Sequence, residues 1–313
     1  MPAKKTATFR LSLPASSANL GPAFDAAALA FDLYLKIEAR LAAEYSIRAT
    51  GRDADICGKL ENHLILNTYR EVLEANGRTP RPLALKIAND IPIGKGCGSS
   101  AAARLAGIAL ADHYGNLRWT AAQIVGEASR REHHPDNASA CWLGGLTVAR
   151  MSGQAEAQVA RIRPKGKWPL LLALPPQPLS TEEARRVLPP QYSRADAVVN
   201  IQNSMLLVAA FTQGRGDLLT AALNDRIHQP YRAPLCPLLP ALQKMVGADG
   251  IMGAVLSGAG PSVLMFLDPG SRIASKKIAA QVAAHLREEN LSAELLLTAI
   301  AEKGAAATRS ANR

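Results

Sequence analysis

A glycine-rich turn that leads directly into an alanine-rich helix gives this sequence its clearest chemical signal. It spans residues 92–103, Pro-Ile-Gly-Lys-Gly-Cys-Gly-Ser-Ser-Ala-Ala-Ala. Glycine lets backbone N–H groups lie against an anion, and the N-terminus of the following helix offers free N–H groups and a positive dipole end. The residues expected to hold a phosphate group are Pro92, Gly94, Lys95, Gly96, Gly98, Ser99, Ser100 and Ala101.

The glycines of this turn follow neither of the two standard phosphate-loop patterns. There is no G-x-x-x-x-G-K-[ST] run, and the spacing is G-x-G-x-G, not G-x-G-x-x-G. Taken alone, such a turn also fits close backbone packing. Ser99 and Ser100 fit N-cap groups as well as hydroxyl ligands of a metal ion, so further motifs must decide.

Two distant segments are similarly rich in serine, alanine, glycine and proline. Residues 14–25 are Pro-Ala-Ser-Ser-Ala-Asn-Leu-Gly-Pro-Ala-Phe-Asp, and residues 256–262 are Leu-Ser-Gly-Ala-Gly-Pro-Ser. In order and spacing, these segments and the loop at 92–103 resemble the three motifs of the GHMP kinases, a family of small-molecule kinases. With His-Pro-Asp-Asn at 134–137, followed by Gly-Gly at 144–145, the chain is most similar to the homoserine kinases of that family. The resemblance covers nearly the whole chain.

The resemblance implies a kinase that uses ATP and Mg²⁺ to phosphorylate the side-chain hydroxyl of L-homoserine, giving O-phospho-L-homoserine on the route to threonine. Two alternatives stay open. One is another acceptor on the same scaffold, such as threonine or an isoprenoid alcohol, and the other is a family member that binds ligand without turnover. Intact Ser99, Ser100 and Glu132 argue against the non-catalytic alternative. Arg185 and Arg232 favour an amino-acid acceptor.

Phosphoryl transfer needs a phosphate cradle, a magnesium ion held by oxygen ligands and a grip on the acceptor. As magnesium ligands we favour Ser100 and Glu132, with Ser99 and Glu127 as alternatives. A glutamate at a helix end is otherwise an ordinary solvated residue. By the resemblance, the nucleotide also contacts Asn62, Gly258 and Gly260. A helix N-cap explains an asparagine at position 62 equally well.

Homoserine is a zwitterion with a primary hydroxyl, so its binding calls for a carboxylate, guanidinium groups, and amide or imidazole groups near the hydroxyl. By the resemblance, the ammonium is bound by Asp25 and Asp136, the hydroxyl by Asn19, His134 and Asn137, and the carboxylate by Arg185 and Arg232. Those expected to take part in catalysis are Asn137, Arg185 and His134. Singly, each residue also fits an ordinary turn, cap or surface role.

Three residues depart from the family pattern. Ala23 replaces a usual glycine in the first motif, so a positive φ there would strain the loop. Cys97 replaces the usual leucine of the phosphate loop, which is a modest apolar exchange. His133 replaces a usual glycine before His-Pro-Asp-Asn and could crowd the acceptor pocket. These changes bear more on the identity of the acceptor than on kinase activity.

Hydrophobic periodicity places these motifs on elements of secondary structure. In the first half we predict strands at 7–13, 33–38 and 83–87 and helices at 62–76, 99–113 and 120–131. The first motif is then expected on the loop and turn between two strands, and the second between a strand and a helix. Because Pro135 disfavours helix before it, residues 132–137 are expected on a turn at a helix end.

The second half begins after a basic, proline-bounded stretch at 161–169. Here we predict strands at 170–174, 254–256, 263–266 and 294–300 and helices from Thr181, at 193–213 and at 271–287. The order of elements predicts an α+β class. The resemblance implies the two-domain GHMP kinase fold, with an N-terminal nucleotide-binding domain at 1–165 and a ferredoxin-like C-terminal domain at 166–303. Residues 304–313 are expected to be a disordered tail.

Composition limits the other function classes. The formal charge of +10 comes from 36 basic and 26 acidic residues, but the excess is dispersed and only 4% of residues are aromatic, so we expect no nucleic-acid partner. No apolar run reaches a membrane span, and the N-terminus lacks a signal peptide, which predicts a cytoplasmic protein without membrane contacts. Four scattered cysteines indicate reduced thiols. The expected partners are small molecules, and relatives suggest a homodimer.

Overall fold

Two β-sheets with helices packed against them make up the protein. The computed structural model describes residues 8–153, 156–248 and 250–309. The strands are β1 (Phe9–Asn19), β2 (Ala23–Leu41), β3 (Ser46–Gly51), β4 (Leu83–Asn89), β5 (Leu146–Met151), β6 (Ala157–Ile162), β7 (Pro169–Leu174), β8 (Ile251–Leu256), β9 (Val263–Leu267), β10 (Glu294–Ala299) and β11 (Ala306–Arg309).

The helices fall between these strands. They are α1 (Ala54–Cys57), α2 (Leu64–Ala75), α3 (Ser99–Gly115), α4 (Ala121–Glu132), α5 (Asp136–Leu143), α6 (Thr181–Arg186), α7 (Arg194–Gln213), α8 (Leu219–Ala222), α9 (Gln229–Arg232), α10 (Leu238–Gln243) and α11 (Ser275–Glu288). Local sequence explains several helix starts. Thr120 and Gln123 form a capping box before α4, and Ser180 and Ser193 cap α6 and α7 through their hydroxyl groups.

The first sheet has the strand order β11-β1-β2-β4-β3, with β5 paired to β2 and β6 paired to β5. Its pairs are antiparallel except for β3 and β4. The second sheet is antiparallel with the order β10-β7-β9-β8. Numbered within that sheet, the order is 4-1-3-2 with α7 and α11 as connections, which is the ferredoxin-like β-α-β-β-α-β arrangement. The predicted α+β class is confirmed.

Strand β7 joins the two halves of the molecule because both of its faces are buried. Alternate side chains of a strand point to opposite faces. Leu170 and Leu172 therefore join the large core formed with β1, β2, α2 and α3, whereas Leu171 and Ala173 join the second core under α10 and α11. The second sheet consequently packs directly on the part of the protein that carries the phosphate loop.

The predicted disordered tail is wrong for residues 304–309. Ala306–Arg309 forms β11, which pairs antiparallel with β1 in the register Phe9↔Arg309 to Ser12↔Ala306. A strand at the edge of a sheet presents free N–H and C=O groups, and β11 satisfies those of β1. The pairing is long-range, so local composition did not reveal it. Residues 310–313 lie outside the described residues.

The first motif contains the predicted turn between two strands, but both strands extend further than predicted, so most of the motif lies on the paired ends of β1 and β2. Strands β5 and β6 and helix α5 were missed. Residues 133–135 form the predicted turn at the end of α4, and Asp136 begins α5 directly after it. No helix among the described residues is both long enough and apolar enough to cross a membrane.

Candidate active site

A cavity of about 480 Å³ opens between the β1–β2 turn, the phosphate loop, α6 and α9. Strands of the first sheet and the loop between β8 and β9 of the second sheet contribute to its wall. The residues predicted for the site that line it are Asn19, Asp25, Asn62, Gly94, Gly96, Gly98, Ser99, Ser100, Ala101, Glu132, His134, Asp136, Asn137, Arg185, Arg232, Gly258 and Gly260. Three distant motifs and the His-Pro-Asp-Asn segment therefore meet in one place.

Two predicted phosphate-loop residues lie elsewhere. Pro92 and Lys95 line a second cavity on the other side of the loop. The Lys95 ammonium donates hydrogen bonds to the carbonyl oxygens of Pro175, at 2.5 Å, and of Pro176, just after β7. The predicted role of Lys95 is therefore wrong. Its side chain connects the loop to the segment that follows β7 and does not add charge at the rim of the phosphate site.

The phosphate loop has the backbone conformation that its glycines predict. Gly94, Gly96 and Gly98 have φ values of 69°, 76° and 69°, in the left-handed region that favours glycine. Helix α3 begins at Ser99 with Gly98 as its N-cap, and no side chain caps it. The hydroxyls of Ser99 and Ser100 are thus not used as caps, and the free N–H groups of the helix start face the cavity.

Close packing between motifs also requires glycine in this loop. A Cβ atom at Gly96 would lie 2.0 Å from the carbonyl oxygen of Ser257, in the third motif. In turn, the hydroxyl of Ser257 donates to the Gly96 carbonyl at 2.8 Å. A Cβ at Gly98 would lie 2.1 Å from Oγ of Ser16 in β1. Phosphate access is therefore not the only reason for glycine at these two positions.

Ser16 determines how Asn137 faces the cavity. The buried Ser16 hydroxyl donates to Oδ1 of Asn137 at 2.9 Å. Since the amide oxygen is engaged beneath the loop, Asn137 presents its NH₂ group to a ligand. Asn137 is thus arranged as a hydrogen-bond donor. Sequence reasoning missed Ser16, although it lies within the first motif.

The predicted magnesium ligands lie together. Ser100, in the first turn of α3, donates from its hydroxyl to Oε1 of Glu132 at 2.7 Å, and Arg104 donates to the same oxygen at 2.5 Å. Glu132 is the last residue of α4 and lines the cavity. Hydroxyl and carboxylate oxygens are suitable Mg²⁺ ligands. The alternative Glu127 is held by Arg130 and Arg131 and does not line the cavity.

Asp25 and Arg185 form a bidentate ion pair across the cavity. Arg185 donates from Nη1 to Oδ2 of Asp25 at 3.0 Å and from Nη2 to Oδ1 at 2.7 Å. Both side chains are about one-third exposed, at 32% for Asp25 and 37% for Arg185. The pair brings together the groups predicted for the two charged ends of the acceptor.

Asn19 has a structural role that the sequence did not reveal. Its Nδ2 donates to the carbonyl of Gly258 at 2.8 Å, and its Oδ1 accepts from the backbone N–H of Asp25 at 3.0 Å. Asn19 and Asp25 themselves have positive φ values of 71° and 54°. The buried amide of Asn19 thus holds the turn against the third motif, and its contact with the substrate hydroxyl stays a prediction.

His134 is paired with Asp136 at the start of α5. Nδ1 of His134 lies 2.5 Å from Oδ1 of Asp136, and this oxygen also accepts the backbone N–H of Asn137 at 2.6 Å. Ligand atoms of His134, Asp136 and Asp25 all lie within 4.8 Å of one another. Burial lowers the pKa of His134, but the hydrogen bond and the charge of Asp136 outweigh it, so the pKa is raised above 6.5.

Arg232 is fully buried at the cavity wall. Its Nε donates to the carbonyl of Ala184 at 2.9 Å. Burial, together with the positive charge of Arg185, lowers the pKa of Arg232 to about 10, so it is charged at neutral pH. The guanidinium carbons of Arg232 and Arg185 lie 5.3 and 5.4 Å from the ring centroid of Phe24. Phe24, which sequence reasoning did not single out, therefore positions both arginines.

The opposite end of the cavity is more apolar. Ile56, Cys57 and Leu64 line it near Asn62. Asn62 is not the N-cap of α2, since His63 occupies that position. This removes the capping explanation for Asn62, and its contact with a nucleoside stays a prediction.

The three departures from the family pattern are accommodated. Ala23 is not among the residues with positive φ and is buried in β2, so it is not strained. Cys97 is buried, and burial raises the pKa of its thiol to about 12, which fits an apolar role. His133 is exposed, caps α4 at a φ of 66° and does not line the cavity. The expectation that His133 crowds the acceptor pocket is therefore wrong.

Comparison with known proteins finds two matching family models and full-length relatives. Residues 63–145 match the family model for the GHMP kinases N terminal domain, and residues 207–290 match that for GHMP kinases C terminal. A homoserine kinase of Solibacter usitatus is 40% identical over 96% of this chain and 97% of its own. A homoserine kinase of Synechocystis sp. is 36% identical over 96% of this chain and 99% of its own.

A solved structure agrees with the fold. The crystal structure of homoserine kinase from Cytophaga hutchinsonii superimposes with a TM-score of 0.81 at 22% identity, covering 98% of this chain and 99% of that one. At this identity the likeness shows the fold. The domain matches and the two full-length relatives show that this chain belongs to the GHMP kinase family.

Proposed function

We propose that the protein transfers the γ-phosphoryl group of ATP to the side-chain hydroxyl of L-homoserine, giving ADP and O-phospho-L-homoserine, a precursor of threonine. The observation that carries this proposal is the Asp25–Arg185 ion pair beside the phosphate loop. A carboxylate and a guanidinium side by side offer both charges that a zwitterionic amino acid requires. An isoprenoid alcohol has no ammonium group to match Asp25.

Acceptor binding would replace the internal ion pair. In the proposed complex the acceptor ammonium binds Asp25, and the acceptor carboxylate binds Arg185 and Arg232. Once the ion pair is broken, only a zwitterion offers a partner to both Asp25 and Arg185. A ligand with one charge leaves one of these two side chains unpaired in a partly buried site. The ion pair thus favours amino-acid acceptors over acceptors that carry a single charge.

The phosphate end is built for charge stabilisation. The loop from Gly94 to Gly98 and the start of α3 offer backbone N–H groups to the β- and γ-phosphates. Ser100 and Glu132 would hold Mg²⁺, which supplies positive charge to the phosphate oxygens when bound. The NH₂ group of Asn137 can donate to an oxygen of the acceptor or of the transferred phosphoryl group.

No strong base is needed in this arrangement. A loose phosphoryl-transfer transition state lets the hydroxyl proton leave late, so positioning and charge stabilisation carry most of the rate. His134, which already shares a hydrogen bond with Asp136, would orient the hydroxyl and need not remove its proton.

ADP release with a panel of acceptors tests the proposed function. We expect L-homoserine to give the highest kcat/KM, followed at a distance by L-threonine, with no turnover of mevalonate. Preferred turnover of mevalonate would overturn the choice of acceptor, and the absence of turnover with every acceptor would point to the non-catalytic alternative.

Arg185→Gln should lower kcat/KM for L-homoserine by at least about tenfold, because it removes one of the two guanidinium groups assigned to the carboxylate. Steady-state kinetics should show no such loss with 2-aminobutane-1,4-diol, in which the carboxylate is replaced by an alcohol. The matched control is Arg186→Gln, since Arg186 is the adjacent residue of α6 and pairs with Glu182 at the surface. Equal losses with both acceptors would assign Arg185 to the phosphates or to the fold.

His134→Gln should keep turnover within about tenfold of the wild type at saturating ATP and Mg²⁺, because glutamine retains a hydrogen-bonding group of similar reach. Loss of a general base typically costs ~10²–10⁴ in rate. A rate loss in that range with intact homoserine affinity would make His134 the base.

The same variant tests the raised pKa of His134. A pKa that is higher in the folded state than in the unfolded state stabilises the fold below the unfolded value, and this contribution disappears as pH rises through the folded value. The difference in unfolding free energy between wild type and His134→Gln should therefore be larger at pH 6 than at pH 8.

A cytoplasmic location and a homodimeric state are the remaining parts of this proposal. All four cysteines are free thiols in the structure, and three of them are buried, which fits a reducing compartment. The dimer rests on sequence resemblance alone, and light scattering of the purified protein tests it.

A further inference from the structure

We propose that His228 is a positioning residue. It fixes the position of the Arg232 guanidinium relative to the β1–β2 turn, so that the guanidinium can bind the acceptor carboxylate. This inference rests on the function proposed above, because it assigns Arg232 to that carboxylate. His228 itself is fully buried, does not line the cavity and touches no reacting atom.

Two hydrogen bonds fix the state of the His228 ring. Nε2 lies 2.8 Å from the carbonyl oxygen of Gly21, and Nδ1 lies 3.1 Å from Nη1 of Arg232. A carbonyl can only accept, and a guanidinium can only donate. The ring must therefore donate from Nε2–H and accept at Nδ1, which defines one neutral tautomer.

The surroundings of His228 agree with a neutral ring. Burial lowers the pKa of His228 to about 4, and the charge of Arg232 acts in the same direction, although the carboxylate of Asp225 opposes them. Oδ2 of Asp225 lies 3.4 Å from Nε2, farther than the Gly21 carbonyl, and it already accepts the backbone N–H groups of His228 and Gln229. Gly21 is therefore the main partner of Nε2.

The same contacts orient the Arg232 guanidinium. Arginine has five N–H donors. Nε donates to the carbonyl of Ala184, and one N–H of Nη1 donates to His228. The three remaining donors are left for the cavity, and in the described part of the chain no acidic side chain lies within ion-pair distance of Arg232. The free edge of the guanidinium is suited to a ligand carboxylate.

His228 contacts the β1–β2 turn directly and contacts α6 indirectly, through the hydrogen bond from Arg232 to Ala184. Gly21 belongs to the turn between Asn19 and Asp25, and Ala184 directly precedes Arg185 in α6. The imidazole ring also stacks on Phe24, with ring centroids 5.3 Å apart and an interplanar angle of 28°. Loss of the Nδ1 acceptor would thus release Arg232, whereas loss of the Nε2 donor would release only the turn.

Two substitutions separate these effects. In His228→Asn, the side-chain oxygen can take the place of Nδ1 and keep the bond to Arg232. In His228→Gln, the terminal amide reaches the place of Nε2 and keeps the bond to Gly21, but no acceptor remains near Nδ1. Both variants lose the ring, so they share the loss of stacking on Phe24. The control is His285→Gln, which removes a partly buried histidine bonded to the Ala241 carbonyl, away from the cavity.

Steady-state kinetics with L-homoserine and ATP provide the main readout. We expect His228→Gln to raise KM for L-homoserine at least about tenfold, with kcat and KM for ATP within about threefold of the wild type. His228→Asn should raise KM for L-homoserine much less. The effect of His228→Gln should disappear with 2-aminobutane-1,4-diol, which lacks the carboxylate. Equal KM increases in the two variants, or a loss that persists with the diol, would overturn the proposal.

A second measurement needs no variant. Nitrogen-15 NMR of histidine-labelled wild-type protein at pH 7 should show His228 protonated at Nε2 alone. A ring protonated at Nδ1, or at both nitrogens, would overturn the proposal even if the substituted proteins do not fold. If the wild type releases no ADP with L-homoserine, the proposed function fails, and that result is distinct from any difference between the two His228 variants.

Discussion

Turnover of the Glu132→Gln variant is expected to fall at least about a hundredfold, equivalent to ~2.7 kcal/mol of transition-state stabilisation. Glu132 is the carboxylate that Ser100 and Arg104 hold at the start of α3. Glutamine retains the shape of the side chain but lacks the charge that holds a hard cation. We therefore also expect a higher Mg²⁺ concentration at half-maximal rate, measured by titrating Mg²⁺ at saturating ATP and L-homoserine.

Glu127→Gln is the matched control for this experiment. Glu127 lies on the same helix and is comparably buried, with 13% of its side chain exposed against 11% for Glu132. Its partners are Arg130 and Arg131, outside the cavity. The Mg²⁺ dependence of Glu127→Gln should match that of the wild type. A Glu132→Gln enzyme with an unchanged Mg²⁺ dependence would remove Glu132 from the metal site.

Gly96→Ala is expected to destabilise the protein by at least about 3 kcal/mol and to abolish measurable ATP binding. The added Cβ would lie 2.0 Å from the carbonyl oxygen of Ser257 and 2.7 Å from that of Gly260. Both contacts are with backbone, so no flexible side chain can move aside. The third motif would have to separate from the phosphate loop. Urea unfolding and calorimetric titration with ATP measure the two effects.

Gly77→Ala isolates the cost of the backbone conformation. Gly77 also has a positive φ, at 64°, but a Cβ there would meet no atom within 4 Å. This variant should lose only the cost of the left-handed conformation, about 1–2 kcal/mol, and should bind ATP normally. If both alanine variants lost the same stability, the close approach of the third motif would not be the reason for glycine at position 96.

The sequence predicted which residues lie at the site better than it predicted what each of them does there. The glycines of the phosphate loop, Glu132 and Arg185 were predicted at the site from their residue types and motifs. All of them line the cavity. The elements that carry them were also largely predictable, since the apolar periodicity of α2 and β4 and the alanine-rich composition of α3 are local properties of the sequence.

The sequence did not reveal contacts with distant partners. Lys95 donates to carbonyls that follow β7, about 80 residues away in the sequence, and Asn19 donates to the backbone carbonyl of Gly258. Neither partner has a side-chain signal, because both contacts are made to backbone carbonyls. The same holds for β11, which sequence composition described as a tail. His228 lies four residues before Arg232, and only the geometry shows that its ring accepts a hydrogen bond from that guanidinium.

The pairing of β11 with β1 has a consequence for biosynthesis of the protein. The first sheet otherwise consists of residues 9–162, yet one edge of it stays open until residues 306–309 have been translated. During that interval β1 offers unpaired backbone groups to any other nascent chain, which is the usual starting point of aggregation. Pairing of the first strand is therefore completed only by the last one, and a chain truncated before residue 306 would contain every residue predicted for the site but would leave one edge of its first sheet unpaired.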